Sequence, residues 1–295
     1  MKITLTGGSG FIGQRLIEHL LQDGHSLHAV GRHPPDAPVR FSEWDANGDA
    51  FPIEAIEGAD AIVHLAGEPI AQRWNSAVKK RIRDSRIFGT RAIVEAASKL
   101  HQRPQTFLCA SAIGFYGDRA DEILDEQSSR GSGFLSDVCG EWEREARAAG
   151  NLGLRVVMLR FGIVLGKEGG ALKQMLPPFR LGVGGPTASG RQWMSWIHAD
   201  DLIEAILFSL ANVNLFGPVN ATSPNPVRNQ EFAKALGEAL GRPAIIHTPI
   251  FALKLLLGQA AEIALASQRV APRALERAGF QFRYPEIHNA LRNAI

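Results

Sequence analysis

Three glycines spaced three apart, Gly7, Gly10 and Gly13 in "TLTGGSGFIGQRLIEHLL" (Thr4–Leu21), constrain this chain more than anything that follows them. An apolar β-type run, Ile3 to Thr6, precedes them, and a helix-type run follows. Between strand and helix, the first glycine permits a tight turn and the second lets a pyrophosphate approach the backbone. The third lets the helix pack closely on the strand, while free N–H groups at the helix start face the anion. Gly8, Ser9, Phe11 and Ile12 complete the loop. The plain alternative is a turn that merely needs glycine.

The rest of the first half fits a parallel sheet. Strands are expected at Ile3–Thr6, Leu27–Val30, Ala61–Leu65, Thr106–Ala110 and Val156–Arg160, with helices near Phe11–Gln22, Ser76–Leu100 and Phe134–Ala149. Strand–helix alternation with wholly apolar strands such as "AIVHLA" implies a doubly wound α/β sheet covered on both faces, with ligands at the carboxyl ends of its strands. After Gly166 the texture changes: "LGVGGPTASGRQW" is glycine-rich, "WMSWIH" alternates like a strand, and "ADDLIEAILFSL" is helical. We therefore expect a dinucleotide-binding domain over 1–167, completed by about 199–222. A smaller substrate-side domain takes 168–198 and 223–295.

The second strand refines the ligand. "LHAVGRHPP" ends in Gly31-Arg32, where an acid would otherwise meet the ribose 2′-hydroxyl of NAD. An arginine there can pair instead with a 2′-phosphate, so NADP is expected over NAD; the plain alternative is a solvated turn arginine. Asp45 in "EWDAN" is placed either at the adenine edge or in a turn.

"TGGSGFIG", "IVHLAG", "FGTRAIVEAA" and "SAIGFYG", in that order, resemble the extended short-chain dehydrogenase/reductases, the superfamily of nucleotide-sugar epimerases. "FLSDVCGEWE", "GRQWMSWIHADDL" and "SQRVAPRALERAGFQFRYP" look more specifically like an atypical epimerase-family subgroup of unassigned substrate. The resemblance covers essentially the whole chain. It implies a Rossmann-type NAD(P) domain with a small C-terminal domain. It also implies that Leu65, Ala66 and Gly67 line the cofactor and that Gly162, Ile163 and Val164 sit near the nicotinamide.

Active members of that superfamily use Tyr-x-x-x-Lys, the tyrosine as acid/base and the lysine lowering its pKa. The chain has only two tyrosines. Four residues beyond Tyr116 stands Ala120, and four beyond Tyr284 stands His288. Aligning on "CGEWE" puts Leu135 in the tyrosine's place and Cys139 in the lysine's, and the expected serine position falls on Ala112, one residue from Ser111. Ser111 and Tyr116 remain the candidate catalytic groups. Ser111 either donates to a substrate oxygen or nicotinamide, or caps a strand end. Tyr116 either donates a proton through another geometry or shapes the pocket. Cys139 reads as a buried structural thiol.

Several features point away from other classes. Thirty-two Lys+Arg against thirty Asp+Glu gives a net charge of +2, no field for nucleic acid or membrane. Two cysteines make no disulfide framework, and Met1-Lys2 leads straight into a strand, so a cytoplasmic location is expected. "PIFALKLLLGQAAEIALA" is interrupted by Lys254, Gly258 and Glu262 and reads as packed helices. Lys79, Arg83 and Arg86 share a helix face that is either solvated or turned to phosphates or an acidic substrate. In "IHADD", Asp200 and Asp201 read as caps of the following helix, with no metal site. Trp193 and Trp196 either roof a substrate cleft or belong to the core.

The expectation is an NADP-binding oxidoreductase-like protein acting on an unidentified small molecule, as monomer or homodimer. Electron-poor quinones, flavins and conjugated systems suit it, because they accept hydride without a protein acid. A non-catalytic NADP-responsive binding protein is the rival, and a nucleotide-sugar epimerase comes third.

Overall fold

Seven strands form one parallel sheet: β1 (Lys2–Thr6), β2 (Ser26–Gly31), β3 (Arg40–Glu43), β4 (Ala61–His64), β5 (Thr106–Ala112), β6 (Arg155–Phe161) and β7 (Gly217–Ala221). The computed structural model describes all 295 residues. Spatial order is β7-β6-β5-β4-β1-β2-β3, so the chain reverses direction of travel between β1 and β4 and opens a crevice at their carboxyl ends.

Both faces are covered by helices whose apolar stripes meet the sheet. On one face, Leu16, Ile17 and Leu20 of α1 (Phe11–Gln22) join Leu202, Ile203 and Ile206 of α5 (Ala199–Ala211) over Ile3, Leu5 and Leu159. On the other face lie α2 (Ser76–Ser98) and α3 (Phe134–Arg147). Their Ile93, Ala96, Trp142 and Ala146 pack on Ile62 and Phe107. A third cluster joins α4 (Gly170–Arg180), α6 (Asn229–Leu240) and α8 (Ile287–Ala294) around Leu176, Phe179, Trp196, Phe232 and Leu291.

Two sheet strands escaped the sequence reading. Arg40–Glu43 is a polar edge strand, and Gly217–Ala221 opens with Gly-Pro at the opposite edge. The "WMSWIH" run is two strands: Trp193–Met194 pairs with Val227–Arg228, and Trp196–His198 with Ile163–Leu165. "PIFALKLLLGQAAEIALA" does form helices, α7 (Ile250–Leu257) and Ala261–Leu265, but α7 is not packed as expected. Only Leu253 of it is buried, while Phe251, Leu255 and Leu256 stand exposed. No helix is long and apolar enough to cross a membrane.

Candidate functional site

The glycine loop is built by close backbone approach. Gly7 has φ +75°, and a Cβ on it would lie 2.8 Å from the Ala66 nitrogen and the Leu65 carbonyl carbon. A Cβ on Gly13 would lie 2.2 Å from the Gly7 oxygen, so loop and helix admit no side chain there. The Gly10 N–H donates to the Gly7 carbonyl at 3.1 Å, tightening the turn. Gly10 caps α1 without any side-chain hydrogen bond, and the first turn holds no acidic residue. The leading N–H groups and the positive end of the helix dipole are therefore free for an anion. Ser9 is exposed beside them, whereas Gly8 and Ile12 turn inward. Phe11 packs under the loop after β6, where a Cβ on Gly169 would fall 2.4 Å from its ring.

The other expected residues follow the carboxyl ends of their strands: Leu65–Gly67 after β4, Arg32 after β2, Asp45 after β3 and Gly162–Val164 after β6. Thr6 pins β4 to β1: its carbonyl accepts from the Leu65 N–H and its Oγ from the Ala66 N–H, both at 3.2 Å. Gly67 is the next residue and is exposed. Arg32 follows β2 with no hydrogen bond or ion pair, an unspent cation. Asp45 has its Oδ1 in an Asx turn, accepting from the Asn47 N–H at 2.9 Å and from its side-chain amide at 2.8 Å. Gly162, Ile163 and Val164 are half-buried beyond β6, and a Cβ on Gly162 would meet the Ser195 oxygen at 2.8 Å.

Ser111 and Tyr116 do not face this crevice as free donors. Both are buried and belong to a network organised by Glu143 and Arg160, which the sequence reading passed over. Arg160 grips Glu143 in a fork, Nε to Oε1 at 2.7 Å and Nη2 to Oε2 at 2.8 Å. Ser111 donates to Oε1 at 2.8 Å, and Arg147 donates to Oε2 at 2.9 Å. Arg160 Nη1 also donates to the Tyr116 oxygen at 2.8 Å, and the phenol donates to Asn220 Oδ1 at 2.7 Å. Burial pushes the phenol up to about 12, against the pull of Arg160. Burial also opposes the charge of Arg160, but hydrogen bonding and attraction from Glu143 outweigh it and raise its pKa. The one legible signal was Arg160 itself, a charge inside the apolar run "VVMLRF". Cys139 is a buried thiol pushed up to about 12 by desolvation, unsuited to nucleophilic work.

Three further readings need correction or resolution. The cap of α5 is the His198 ring, which accepts from the Asp200 N–H at 3.2 Å. The aspartates fasten instead: Asp200 pairs with Arg15, and Asp201 accepts from the Arg283 and Tyr284 N–H groups at 2.7 and 2.9 Å. The basic face of α2 is docked on α3, with Arg83 on Glu141 at 2.5 Å and Arg86 buried. Trp196 is core, whereas Trp193 is half-exposed between the Arg228 and Arg269 guanidinium groups, 4.2 and 4.4 Å from its ring.

A doubly wound parallel sheet, a glycine loop at its switch point and a smaller C-terminal layer define a Rossmann-type protein of the extended epimerase/reductase class. Comparison with known proteins makes this specific. The sequence profile of the NAD dependent epimerase/dehydratase family matches residues 3–221, and this chain belongs to that family. Residues 248–294 match a domain of unknown function, DUF1731. The chain is 41% identical over 299 residues to the chloroplastic epimerase family protein SDR39U1 homolog of Arabidopsis thaliana, covering 99% of this chain and 86% of that protein. The crystal structure of human epimerase family protein SDR39U1 with NADPH superposes with a TM-score of 0.90 at 35% identity, covering 100% of this chain and 99% of that one. A nucleoside-diphosphate sugar epimerase from Corynebacterium glutamicum gives 0.82 at 36% identity; this chain spans 58% of its length.

Proposed function

We propose that this protein binds NADP(H), with the pyrophosphate over Gly7–Gly13 and the 2′-phosphate at Arg32, and delivers hydride to an acceptor that needs no protein acid. The observation that carries the reading is the contrast between the glycine loop and the buried phenol. The helix start and Arg32 are free of partners, while the phenol that would donate a proton is buried and already bonded. The human relative was crystallised with NADPH, which supports the cofactor.

The residues fit such a group. Gly7 and Gly10 leave room for phosphates on the backbone, Arg32 offers a fork to a 2′-phosphate, and Leu65–Gly67 with Gly162–Val164 flank the crevice. A dihydronicotinamide bound there would supply a hydride, and an acceptor such as a quinone would complete its reduction with a proton from water. Tyr116 stays protonated throughout, because its pKa of about 12 and its place between Arg160 and Asn220 leave it no free proton to give. The chain's task is to orient the two ligands and exclude competing reactions.

Calorimetric titration with NADPH and NADH tests the cofactor assignment. NADPH binds more tightly, and Arg32→Gln weakens NADPH by about 10–100-fold, roughly 1.4–2.7 kcal/mol, without changing NADH. Equal affinities would remove Arg32 from the reading. Oxidation of bound NADPH is then followed against quinones and flavins; tight binding without turnover favours the non-catalytic, NADP-responsive alternative. Sugar epimerisation is the third reading, because the chain has no Tyr-x-x-x-Lys to serve it.

A further inference from the structure

The structure points to a second binding group in the same crevice: we propose that Arg86 is a carboxylate-binding residue, and that the second ligand carries a planar carboxylate beside Gly67. This deepens the preceding proposal by naming a chemical class for the acceptor, and it rests on that reading of where the crevice holds its ligands.

Arg86 differs from the other basic residues of α2: Lys79 lacks a carboxylate too, but it is only half-buried, donates to Gln259 and lies over the Phe134 ring. Lys80 is paired with Asp84, Arg81 with Glu68, Arg83 with Glu141 and Arg91 with Glu145. Arg86 is only 8% exposed, yet it meets no carboxylate. Its Nη1 donates to the Glu68 and Ile82 carbonyls, both at 3.0 Å, and the Trp142 ring lies 5.1 Å from its guanidinium carbon. Those contacts hold the group in place. They leave Nε and Nη2 without a hydrogen-bond partner, and neither atom is among the unpartnered polar atoms closed off from solvent.

The free edge has the geometry of a receptor. Nε and Nη2 form the side of a guanidinium that meets a carboxylate with two parallel N–H···O bonds. What lies over the guanidinium is Gly67, where a Cβ would sit 3.1 Å from Cζ and 3.2 Å from Nη2. A side chain there would press on the guanidinium face over Cζ, Nη2 and Nη1. Gly67 directly follows Leu65 and Ala66, the residues that Gly7 approaches most closely, so Arg86 borders the crevice of the glycine loop. A desolvated guanidinium lacking a counter-ion carries an uncompensated penalty, which an arriving anion relieves. The pyrophosphate and 2′-phosphate are already allotted to Gly7–Gly13 and Arg32. The remaining anion belongs to the other ligand.

The test is calorimetric titration with 2-naphthoate and its neutral isostere 2-naphthamide, on the protein saturated with NADP⁺ and on the protein alone. Wild type is expected to prefer naphthoate by at least about tenfold, a coupling of about 1.4 kcal/mol. Arg86→Gln abolishes the preference, and Arg86→Lys, which keeps the charge without the fork, retains part of it. Gly67→Ala reduces it with Arg86 intact. Thermal melts of all variants establish folding, and the lysine and alanine variants keep the test decisive if the glutamine variant does not fold. No preference in wild type, or an unchanged one in Arg86→Gln, overturns the proposal and leaves Arg86 a strut between α2 and the loop after β4. NADPH titrated into the same samples separates the two proposals. Naphthoate preference without NADPH binding sinks the cofactor reading alone, and the reverse sinks this one alone.

Discussion

Glu143 lies on the buried face of α3 beside Cys139, Trp142 and Ala146, and it holds distant parts of this protein together. Its carboxylate receives Arg160, Arg147 and Ser111 while almost wholly buried. Glu143→Gln leaves the Arg160 charge uncompensated in the interior, and urea unfolding should show a loss of about 3–5 kcal/mol. Gly13→Ala acts differently. Its methyl would collide with the Gly7 carbonyl, so the loop must open, and NADPH affinity should fall at least about 100-fold in calorimetry, some 2.7 kcal/mol. His64 gives the fold a pH dependence. Burial first, and the Arg86 charge second, hold its pKa down to about 3, so the ring is neutral in the folded state. The unfolded chain takes up a proton near pH 6.5 that the folded chain refuses. This contribution to stability is therefore complete above about 6.5 and is lost as pH falls towards 3, by up to about 1.4 kcal/mol per pH unit. Denaturation curves of wild type and His64→Phe between pH 7.5 and 4.5 isolate it; parallel slopes would refute the assignment.

At the scale of elements, the joints are backbone groups held by distant side chains. Asp201 on α5 takes the Arg283 and Tyr284 amides and so docks the segment leading into α8. Asp201→Ala leaves two donors without partners, at a cost of about 1–3 kcal/mol. Amide exchange should quicken at Arg283 and Tyr284 before it does in β1 or β4; unchanged protection would show the aromatic contacts around Phe280 and Phe282 to be sufficient. The reading of elements from sequence failed where an element is made by its neighbours. "RFSE" and "GPVNA" carry little strand signal, and each becomes a strand because an edge of the parallel sheet offers it a ladder. Helices such as α1 and α3 were legible because their apolar stripe repeats within a few residues.

Taken whole, the molecule joins sheet and C-terminal layer through polar contacts as well as apolar ones. Asn220 in β7 receives the Tyr116 phenol and donates to the Ala271 carbonyl at 3.0 Å, and Glu126 accepts from the Asn220 and Ala274 N–H groups at 3.1 and 3.0 Å. A ligand that binds only the folded chain should therefore stabilise it as a unit. NADPH at 100 times its Kd adds about 2.7 kcal/mol, a rise of several degrees in Tm, and NADH at the same concentration adds less. A melt that splits in two on adding NADPH would show the layers to be independent.

By itself the sequence determined the parallel sheet, the glycine loop and the absence of Tyr-x-x-x-Lys, because each is written in neighbouring residues: alternation, spacing and a motif five residues long. Tertiary structure alone decided what Ser111, Tyr116 and Arg86 do. Ser111 and Glu143 lie 32 residues apart, and Tyr116 and Asn220 lie 104 apart. No local pattern announces such pairs. Whether a hydroxyl or a guanidinium is bonded, buried or open depends on which distant carboxylate the folded chain brings to it, and at Arg86 the chain brings none.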